Sequence, residues 1–276
     1  MAEQTKDSEL AQIERCDLPS VRRVAAMLDT PPEVFENGMP LPRGWHFFLL
    51  AGCTARSSLR SDGFPGFGFP IPDTGKSRLV LGGRTVSFAG DIRLGSELVR
   101  TSSLESLVDK QIASGVISIA TVRHQLRQVD EVKPAVVETQ KYILLDERYA
   151  GSDRGEAAHS GVPQHRKDVT PDETMLFQYS ALGFNSHKIH LDRVYARDVE
   201  GYPDLVVNGG LTTLLMTEFL RSDLGGEPIG FSTRHTAPLF CGRVLSLTAD
   251  RVETGWRMRA LNDRGATAME AEVTLQ

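Results

Sequence analysis

Residues 201–220 have the sequence GYPDLVVNGGLTTLLMTEFL, and this stretch decides the fold. From about residue 210 to residue 220 it is apolar on nearly all sides, which predicts a helix that is buried all round. A sheet wrapped around a single helix buries the helix in this way. Strand-like segments follow it at 229–235, 243–253, 256–262 and 266–275. The second half of the chain is therefore predicted to be one helix held inside an antiparallel sheet.

The first half of the chain shows the same order of elements. An apolar stretch predicts a buried helix, and segments rich in Val, Ile and Thr predict strands after it, the helix at 45–51 and the strands at 85–88, 97–104, 115–127 and 135–145. In addition, IRLGSELVRTSSLE at 92–105 can be laid on LFCGRVLSLTADRV at 239–252, which superposes Gly95 on Gly242. Together these features predict a duplicated unit of helix plus antiparallel sheet, an α+β fold.

The remaining segments predict how these units are joined. The first fifteen residues are predicted to be a mobile tail, and residues 18–28 an amphipathic helix. Residues 146–168 are polar, which predicts a linker at 151–168 between a domain at 1–150 and a domain at 169–276. The second domain is expected to begin with loops, and Asn262 to Gly265 to form a hairpin connection.

A segment rich in glycine and proline, SDGFPGFGFPIPDTGK, occupies residues 61–76. Glycine and proline disfavour helices and central strands, and the glycine spacing does not match a phosphate-binding loop. The favoured interpretation is a structured loop that packs on Phe64, Phe67 and Phe69. A lid over a ligand is the alternative.

Composition and cysteine usage exclude several classes of function. The 276 residues are 40% hydrophobic and 24% charged with a net charge of −5, which is typical of a globular protein and disfavours nucleic-acid binding. Cys16, Cys53 and Cys241 are isolated, so neither a zinc site nor a disulfide framework is predicted. No signal peptide and no apolar run of about 18 residues is visible, and a cytoplasmic protein without a membrane partner is expected.

Polar residues that could take part in catalysis are concentrated in residues 177–192, FQYSALGFNSHKIHLD. Two histidines, one asparagine and one serine stand there in an apolar neighbourhood without helical periodicity, which predicts an irregular turn before a short helix at 191–197 capped by Asp192. Some twenty residues later, Gly209 and Gly210 precede the buried helix. The free N–H groups of a helix start favour negative charge, and glycine permits close approach, as an oxyanion site requires.

These two motifs resemble the MaoC-like, R-specific enoyl-CoA hydratases, in which an Asp-x-Asn-x-(Ile/Leu)-His turn precedes a Val-x-Gly helix start. The resemblance covers nearly the whole chain and implies a double hot-dog fold. The family histidine corresponds here to His190, the family aspartate to Asn185 and the family asparagine to His187. The glycine of the helix start corresponds to Gly209, and a hydroxyl residue in the helix corresponds to Thr217. PLPRGWHFFL at 40–49 and GYPDLVVNGGL make the chain more similar to one branch, which holds mitochondrial-type 3-hydroxyacyl-thioester dehydratases, mesaconyl-C4-CoA hydratases and itaconyl-CoA hydratases.

The resemblance implies a hydro-lyase whose catalytic residues are His190, Asn185 and Gly209. Because Asn185 stands where the family has an acid and cannot hold a proton, His190 is expected to remove the proton of water and, directly or by relay, to protonate the α-carbon. The Gly209 N–H is expected to stabilise the enolate oxygen. Each residue also has a structural interpretation: His190 bonded to a carbonyl, Asn185 fixing a turn, and the glycines only permitting the helix start.

The expected substrate is an acyl-CoA thioester, with no other cofactor and no metal. Substrate contacts are predicted for His187, Thr217, Gly210, Lys188, Arg234 and Arg243, with Arg84 as a further candidate cation. Glu218 is a reserve acid, whereas His46, His124 and His235 are expected to be ordinary structural residues. The first half is predicted to have lost chemistry and kept binding.

The resemblance favours itaconyl-CoA hydration to citramalyl-CoA, as in itaconate degradation. A mesaconyl-C4-CoA hydratase and a 3-hydroxyacyl-thioester dehydratase are the alternatives within the same class. A hot-dog thioesterase and a non-catalytic CoA-binding module are the alternatives of other classes, and a homodimer is possible.

Overall fold

The computed structural model describes residues 10–67, 69, 71–112, 115–150 and 162–276. These residues form a ten-stranded antiparallel sheet in the order β1-β3-β4-β5-β2-β7-β10-β9-β8-β6. The strands are β1 Leu10–Arg15, β2 Arg78–Phe88, β3 Glu97–Ile112, β4 Gly115–Gln128, β5 Val136–Leu145, β6 His165–Val169, β7 Pro228–His235, β8 Leu245–Val252, β9 Gly255–Leu261 and β10 Thr267–Leu275. Strands β2 and β7 pair from Gly83↔Arg234 to Ser87↔Gly230, so the two halves share one continuous sheet.

Three α-helices lie against this sheet: α1 Leu18–Met27, α2 Glu173–Leu182 and α3 Gly209–Phe219. All nine residues from Leu211 to Phe219 of α3 are buried, as its unbroken apolar sequence predicts. Shorter 3₁₀ turns occupy Pro32–Val34, His46–Leu50, Arg56–Ser58 and Lys188–His190, and π-helical turns occupy Tyr195–Val199 and Leu220–Leu224. The sheet wrapped around α3 confirms the predicted α+β, double hot-dog architecture. In the described ranges no helix combines the length and apolarity needed to cross a membrane.

The predicted duplication is visible in matching backbone hydrogen bonds. The N–H of Gly95 donates to the carbonyl of Cys16 at 2.7 Å, and the N–H of Gly242 donates to the carbonyl of Pro171 at 2.8 Å. Both glycines have positive φ, 87° and 72°, in the turn that precedes β3 or β8. In each half, a short strand and an aspartate-capped helix therefore lead into the same turn.

Several predicted boundaries were wrong. Residues 10–15 of the supposed tail form β1, which pairs with β3 and places Glu14 3.0 Å from buried Arg100, whereas residues 1–9 lie outside the described residues. The loop-rich start near residue 170 is wrong as well, because Asp172 caps α2 by accepting the N–H of Met175 at 2.8 Å. Strand β2 begins at Arg78, seven residues before the predicted start at 85.

The predicted helix at 45–51 is only the 3₁₀ turn His46–Leu50, after which Ala51 is extended. So short a segment cannot sustain a helix by itself, and Trp45, Phe48 and Leu49 instead pack into the same core as α3. The predicted short helix near 191–197 is present, because residues 193–194 are helical and continue into the π-helical segment Tyr195–Val199. Asp192 caps this helix as predicted, since its carboxylate accepts the N–H of Tyr195 at 2.9 Å.

The loop at 61–76 packs as predicted on Phe64, Phe67 and Phe69, which form a separate core with Leu79, Ala120, Val122 and Leu144. The Asn262–Gly265 hairpin is present, with Gly265 at φ 77°. The last four residues of the predicted linker, 165–168, belong to β6, and residues 151–161 lie outside the described residues. The division into two domains at this linker stays a prediction.

Candidate active site

A cavity of about 540 Å³ lies between the two halves and takes its walls from both. The second half contributes the 183–190 turn and the start of α3, and the first half contributes β2, β5 and the loop that contains Phe64. The lining residues that carry chemistry are His190, His187, Asn185, Asn208, Gly209, Gly210, Tyr179, His235, Arg84, Gln140 and Tyr142.

His190 is buried in the wall of this cavity, and its Nδ1 lies 2.7 Å from the carbonyl oxygen of Val206. A backbone carbonyl only accepts, so Nδ1 carries the ring hydrogen and Nε2 offers a lone pair to the cavity. Burial lowers the pKa of His190 to about 4, although the bond to Val206 acts in the opposite direction. The ring is therefore neutral at physiological pH and oriented as a base. A histidine with only a structural role would also donate a hydrogen bond to a carbonyl oxygen. Here that hydrogen bond fixes the orientation of the ring.

Asn185 lines the cavity while it also fixes the turn. Its Oδ1 accepts the N–H of His187 at 3.0 Å, and its own N–H donates to the carbonyl of Ser180 at 2.8 Å. The asparagine is therefore structural in the sense that the turn depends on it. Its remaining polar group is the amide NH₂, which can orient a ligand but cannot transfer a proton.

His187 lies edge-on to His190, with ring centroids 5.4 Å apart. Its Nε2 is buried, has no hydrogen-bond partner among the residues that the structure describes, and lies 4.0 Å from Oδ2 of Asp62. Burial, followed by the nearby His190, Arg60 and Arg78, lowers the pKa of His187 well below its ordinary value. A neutral His187 thus stands behind His190, between it and the 61–76 loop.

Asp62 is a contributor that the sequence did not reveal. It is fully buried and accepts the N–H of Phe64 at 2.9 Å and the guanidinium Nε of Arg60 at 3.1 Å. Its carbonyl accepts the N–H of Lys188 at 2.8 Å. The loop of the first half therefore holds the 183–190 turn of the second half in place.

The start of α3 is open to an anion. Asn208 precedes the helix but makes no capping bond: its Nδ2 donates to Ser180 Oγ at 3.3 Å, and its Oδ1 is buried without a hydrogen-bond partner among the described residues. The first N–H groups of the helix have no intrahelical acceptor. A Cβ at Gly210 would stand 2.0 Å from the hydroxyl of Tyr179, and a Cβ at Gly209 would stand 3.1 Å from Cε1 of His235. A side chain at Gly210 would therefore require Tyr179 to move, and one at Gly209 would require its neighbours to shift by a few tenths of an ångström.

His235 at the end of β7 lines the cavity, although the sequence predicted an ordinary strand residue. Its Nε2 is buried and lacks a hydrogen-bond partner in the described part of the chain, and it lies 3.4 Å from the position of a Cβ on Gly209. Burial and then the charge of Arg84 lower the pKa of His235 to about 3. His235 reaches the start of α3 only in the folded chain, so no local sequence signal announces it.

Four predicted substrate contacts lie outside the cavity wall. The hydroxyl of Thr217 donates to the carbonyl of Leu214 at 3.0 Å two turns into α3, and its side chain packs against Gly44. The ammonium of Lys188 donates to the carbonyl of Ser61 at 2.7 Å. Arg234 pairs with Glu270 at 2.8 Å and Arg243 lies 3.6 Å from Asp263, both on the outer surface. These four residues therefore do not line the cavity, and their contacts with substrate stay predictions.

The reserve acid Glu218 is also directed away from the cavity. It accepts the indole N–H of Trp45 at 3.2 Å and the Nε of Arg221 at 2.9 Å. His124 is an ordinary buried histidine, as predicted, whose Nδ1 lies 2.8 Å from Ser102 Oγ. Across the described ranges, no three His, Cys, Asp or Glu side chains are grouped as a metal site.

Comparison with known proteins identifies the family. The family model of hydroxyacyl-thioester dehydratase type 2 matches residues 44–241. The mesaconyl-C(4)-CoA hydratase of Chloroflexus aurantiacus is 34% identical over 258 residues, 91% of this chain and 89% of that protein. The mitochondrial hydroxyacyl-thioester dehydratase type 2 of Schizosaccharomyces pombe is 28% identical over 248 residues, 81% of this chain and 82% of that protein.

Solved structures agree with the fold. HtdX of Mycobacterium tuberculosis has a TM-score of 0.68 at 16% identity, covering 98% of this chain and 100% of that chain. Another protein of that organism, described as having a double hot-dog fold, has a TM-score of 0.57 at 13% identity, covering 99% of this chain and 96% of that one. The chain thus belongs to the hydroxyacyl-thioester dehydratase type 2 family, a group of MaoC-like hot-dog hydro-lyases.

Proposed function

We propose that the protein adds water to the α,β double bond of a short enoyl-CoA that carries a second, free carboxylate. One observation carries the hydratase assignment: a neutral, oriented His190 and the uncapped start of α3 border the same cavity. A base for water and a donor set for a thioester oxygen are the two groups that this addition requires.

The chemistry follows from these groups. As the oxygen of water attacks the β-carbon, Nε2 of His190 takes one proton of the water, and the alkene electrons move into the thioester carbonyl. The N–H of Gly209 holds the resulting enolate oxygen, and Nε2 of His235, when it bears the ring hydrogen, is a second donor beside it. The enolate then collapses, and its α-carbon takes the proton back from His190. One imidazole performs both transfers because Asn185 cannot hold a proton.

The acyl group is the finer part of the proposal. Mesaconyl-C4-CoA has its double bond conjugated with the thioester, so addition through an enolate leads directly to citramalyl-CoA. Itaconyl-CoA, which the sequence resemblance favours, would give the same product, but its double bond lies one carbon farther from the thioester. The name of the Chloroflexus relative and the enolate-holding site both support the mesaconyl isomer as the direct substrate.

Mass spectrometry of mesaconyl-C4-CoA, itaconyl-CoA and crotonyl-CoA after incubation with the protein tests this proposal. We expect the gain of one water on mesaconyl-C4-CoA, lost in His190→Ala and kept in the control His165→Ala, whose histidine lies exposed on β6. Reaction only with longer 3-hydroxyacyl thioesters would instead indicate a dehydratase of the kind named for the Schizosaccharomyces relative. Release of free CoA would indicate a thioesterase, and binding without turnover a non-catalytic module.

A further inference from the structure

A buried ionic cluster in the first half forms part of the cavity wall and has no part in the chemistry above. At its centre, Glu138 is 1% exposed. Its carboxylate contacts Nη1 of Arg84 at 3.1 Å, Nε2 of His46 at 2.7 Å and Nε2 of Gln140 at 2.6 Å. Burial raises the pKa of Glu138, but Arg84 and His46 outweigh it and hold that pKa at about 2. Glu138 is therefore a permanent anion that fixes Arg84 in place.

Arg84 has donors left over after this pairing. Its side chain is 10% exposed, and its Nε is buried without a partner in the part of the chain that the structure describes. Its Nη2 lies 3.2 Å from the position of a Cβ on Gly210, beside the hydroxyl of Tyr179. Burial raises the pKa of that hydroxyl further, so it remains protonated and able to donate. A guanidinium and a phenol thus stand together at the start of α3.

Stability does not account for this arrangement, because a buried ion pair is no more stabilising than apolar side chains of similar volume. Donors that face a cavity are instead expected to bind an anion. The phosphates of CoA are strongly hydrated and lie at the far end of a long arm, so a nine-tenths buried arginine in the cavity wall is poorly suited to them. An anion on the acyl group fits this position better.

The proximity of Arg84 to the start of α3 also favours a short acyl group. In mesaconyl-C4-CoA the thioester carbon and the free carboxylate carbon are three bonds apart, which is roughly 4 Å in a trans arrangement. Gly209 and Gly210 are neighbours in the chain, and Nη2 of Arg84 lies 3.2 Å from the position that a Cβ on Gly210 would take. A thioester oxygen on the Gly209 N–H would therefore leave the distal carboxylate within reach of Arg84.

We propose that Arg84 and the hydroxyl of Tyr179 bind the free carboxylate of the acyl group and thereby set the specificity for a dicarboxylic enoyl-CoA. This inference rests on the proposed hydratase function. It assigns the cation of this specificity site to the half of the chain that lacks His190, through Arg84 on strand β2, which pairs with β7 of the other half, and the hydroxyl to α2 of that other half.

The test compares kcat/KM for mesaconyl-C4-CoA and crotonyl-CoA, which lacks the carboxylate, in wild type and Arg84→Met. We expect Arg84→Met to lower the value for mesaconyl-C4-CoA about 100-fold, as for a lost charged hydrogen bond, and to leave that for crotonyl-CoA within about threefold. Because Arg84→Met strands a buried carboxylate, the double variant Arg84→Met/Glu138→Gln is measured as well. Arg166→Met on β6, whose arginine pairs with Asp168 away from the cavity, is the matched control.

Calorimetric binding of the saturated analogues methylsuccinyl-CoA and butyryl-CoA separates this inference from the proposed function. Wild type is expected to prefer methylsuccinyl-CoA, and both Arg84 variants to lose that preference. If wild type hydrates no substrate, the hydratase proposal fails while the binding preference still decides the role of Arg84. If the variants keep the wild-type ratio of kcat/KM for the two substrates and the wild-type ratio of affinities for the two analogues, Arg84 is only structural and the inference is overturned.

Discussion

The two halves of the chain share a backbone frame but differ at the point where chemistry occurs. The N–H of Leu41 donates to the carbonyl of Ile92 at 2.8 Å, and the N–H of Val207 donates to that of Leu239 at 2.8 Å, so these positions correspond. Three residues after Leu41 stands Gly44, and three after Val207 stands Gly210. From Gly210 the second half continues into the buried helix α3, whereas the first half forms only the turn His46–Leu50.

The two halves contribute different groups to the cavity, and we infer a division of tasks between them. The second half has the oriented His190 and an open helix start. The first half has Arg43 in the position that corresponds to Gly209, and this arginine is occupied by the carbonyl of Pro228 at 2.8 Å and by Asp91 at 3.2 Å. At this position the described residues of the first half begin no α-helix, but the first half contributes Arg84 and Phe64 to the cavity wall. The variants below are arranged from the largest expected effect to the smallest.

Replacing His190 removes the proposed base of the second half and should have the largest effect on activity. We expect His190→Ala to lower kcat by about 1000-fold, the usual contribution of a general acid–base group, with thermal stability close to that of wild type. Steady-state rates on mesaconyl-C4-CoA and a melting curve measure both. A variant that retains most of its turnover would show that another group, such as His187, activates water.

The corresponding glycines should respond differently to the same change. Gly210→Ala places a Cβ 2.0 Å from the Tyr179 hydroxyl, so we expect roughly a 100-fold loss of kcat/KM. Its loss in the free energy of unfolding is expected to be smaller than that of Gly44→Ala. Gly44→Ala has φ +101° and meets Thr217 Oγ1 at 2.5 Å, so we expect a loss of about 1–3 kcal/mol in the free energy of unfolding. Kinetics and urea unfolding of both variants measure the contrast. Equal effects on rate and stability in the two variants would contradict the division of tasks.

The pH dependence should separate activity from stability. Because the pKa of His190 is lowered to about 4, its neutral, active form persists below pH 6.5, and kcat/KM should fall only as the pH approaches about 4. Buried neutral histidines contribute stability that is complete above the unfolded-state pKa of about 6.5 and is lost as the pH falls below it. Unfolding free energies should thus decline before initial rates do. An acid limb of kcat/KM near pH 6.5 would show that His190 titrates normally.

Glu218→Gln should have the smallest effect on rate. Glu218 joins the halves through the indole of Trp45 rather than facing the cavity, so we expect kcat to stay within about threefold and the free energy of unfolding to fall by about 1–3 kcal/mol. The same kinetic and unfolding measurements apply. A large fall in kcat without a loss of stability would restore Glu218 as an acid in the reaction.

Local sequence was sufficient for the features that depend on neighbouring residues. The unbroken apolar run of α3, the Asp192 cap and the Gly265 turn were all predicted, because burial pattern, capping and positive φ are local properties. The boundaries of α2 and β1 were not, since α2 has no amphipathic periodicity and β1 is stabilised by its pairing with β3. His190, Asn185 and Gly209 were predicted from the motif, and all three line the cavity.

The sequence by itself thus determined the family, the wrapped helix and the 183–190 turn that lines the cavity, because these depend on contiguous residues. Only the tertiary structure decided which distant side chains complete the site. Arg84 and His235 are 151 positions apart and meet because β2 pairs with β7, while Asp62 reaches His187 because a loop of one half packs on the other. The tertiary structure likewise decided that Thr217, Arg234 and Arg243 do not line the cavity, since the direction of a side chain depends on helix phase and strand register in the folded chain.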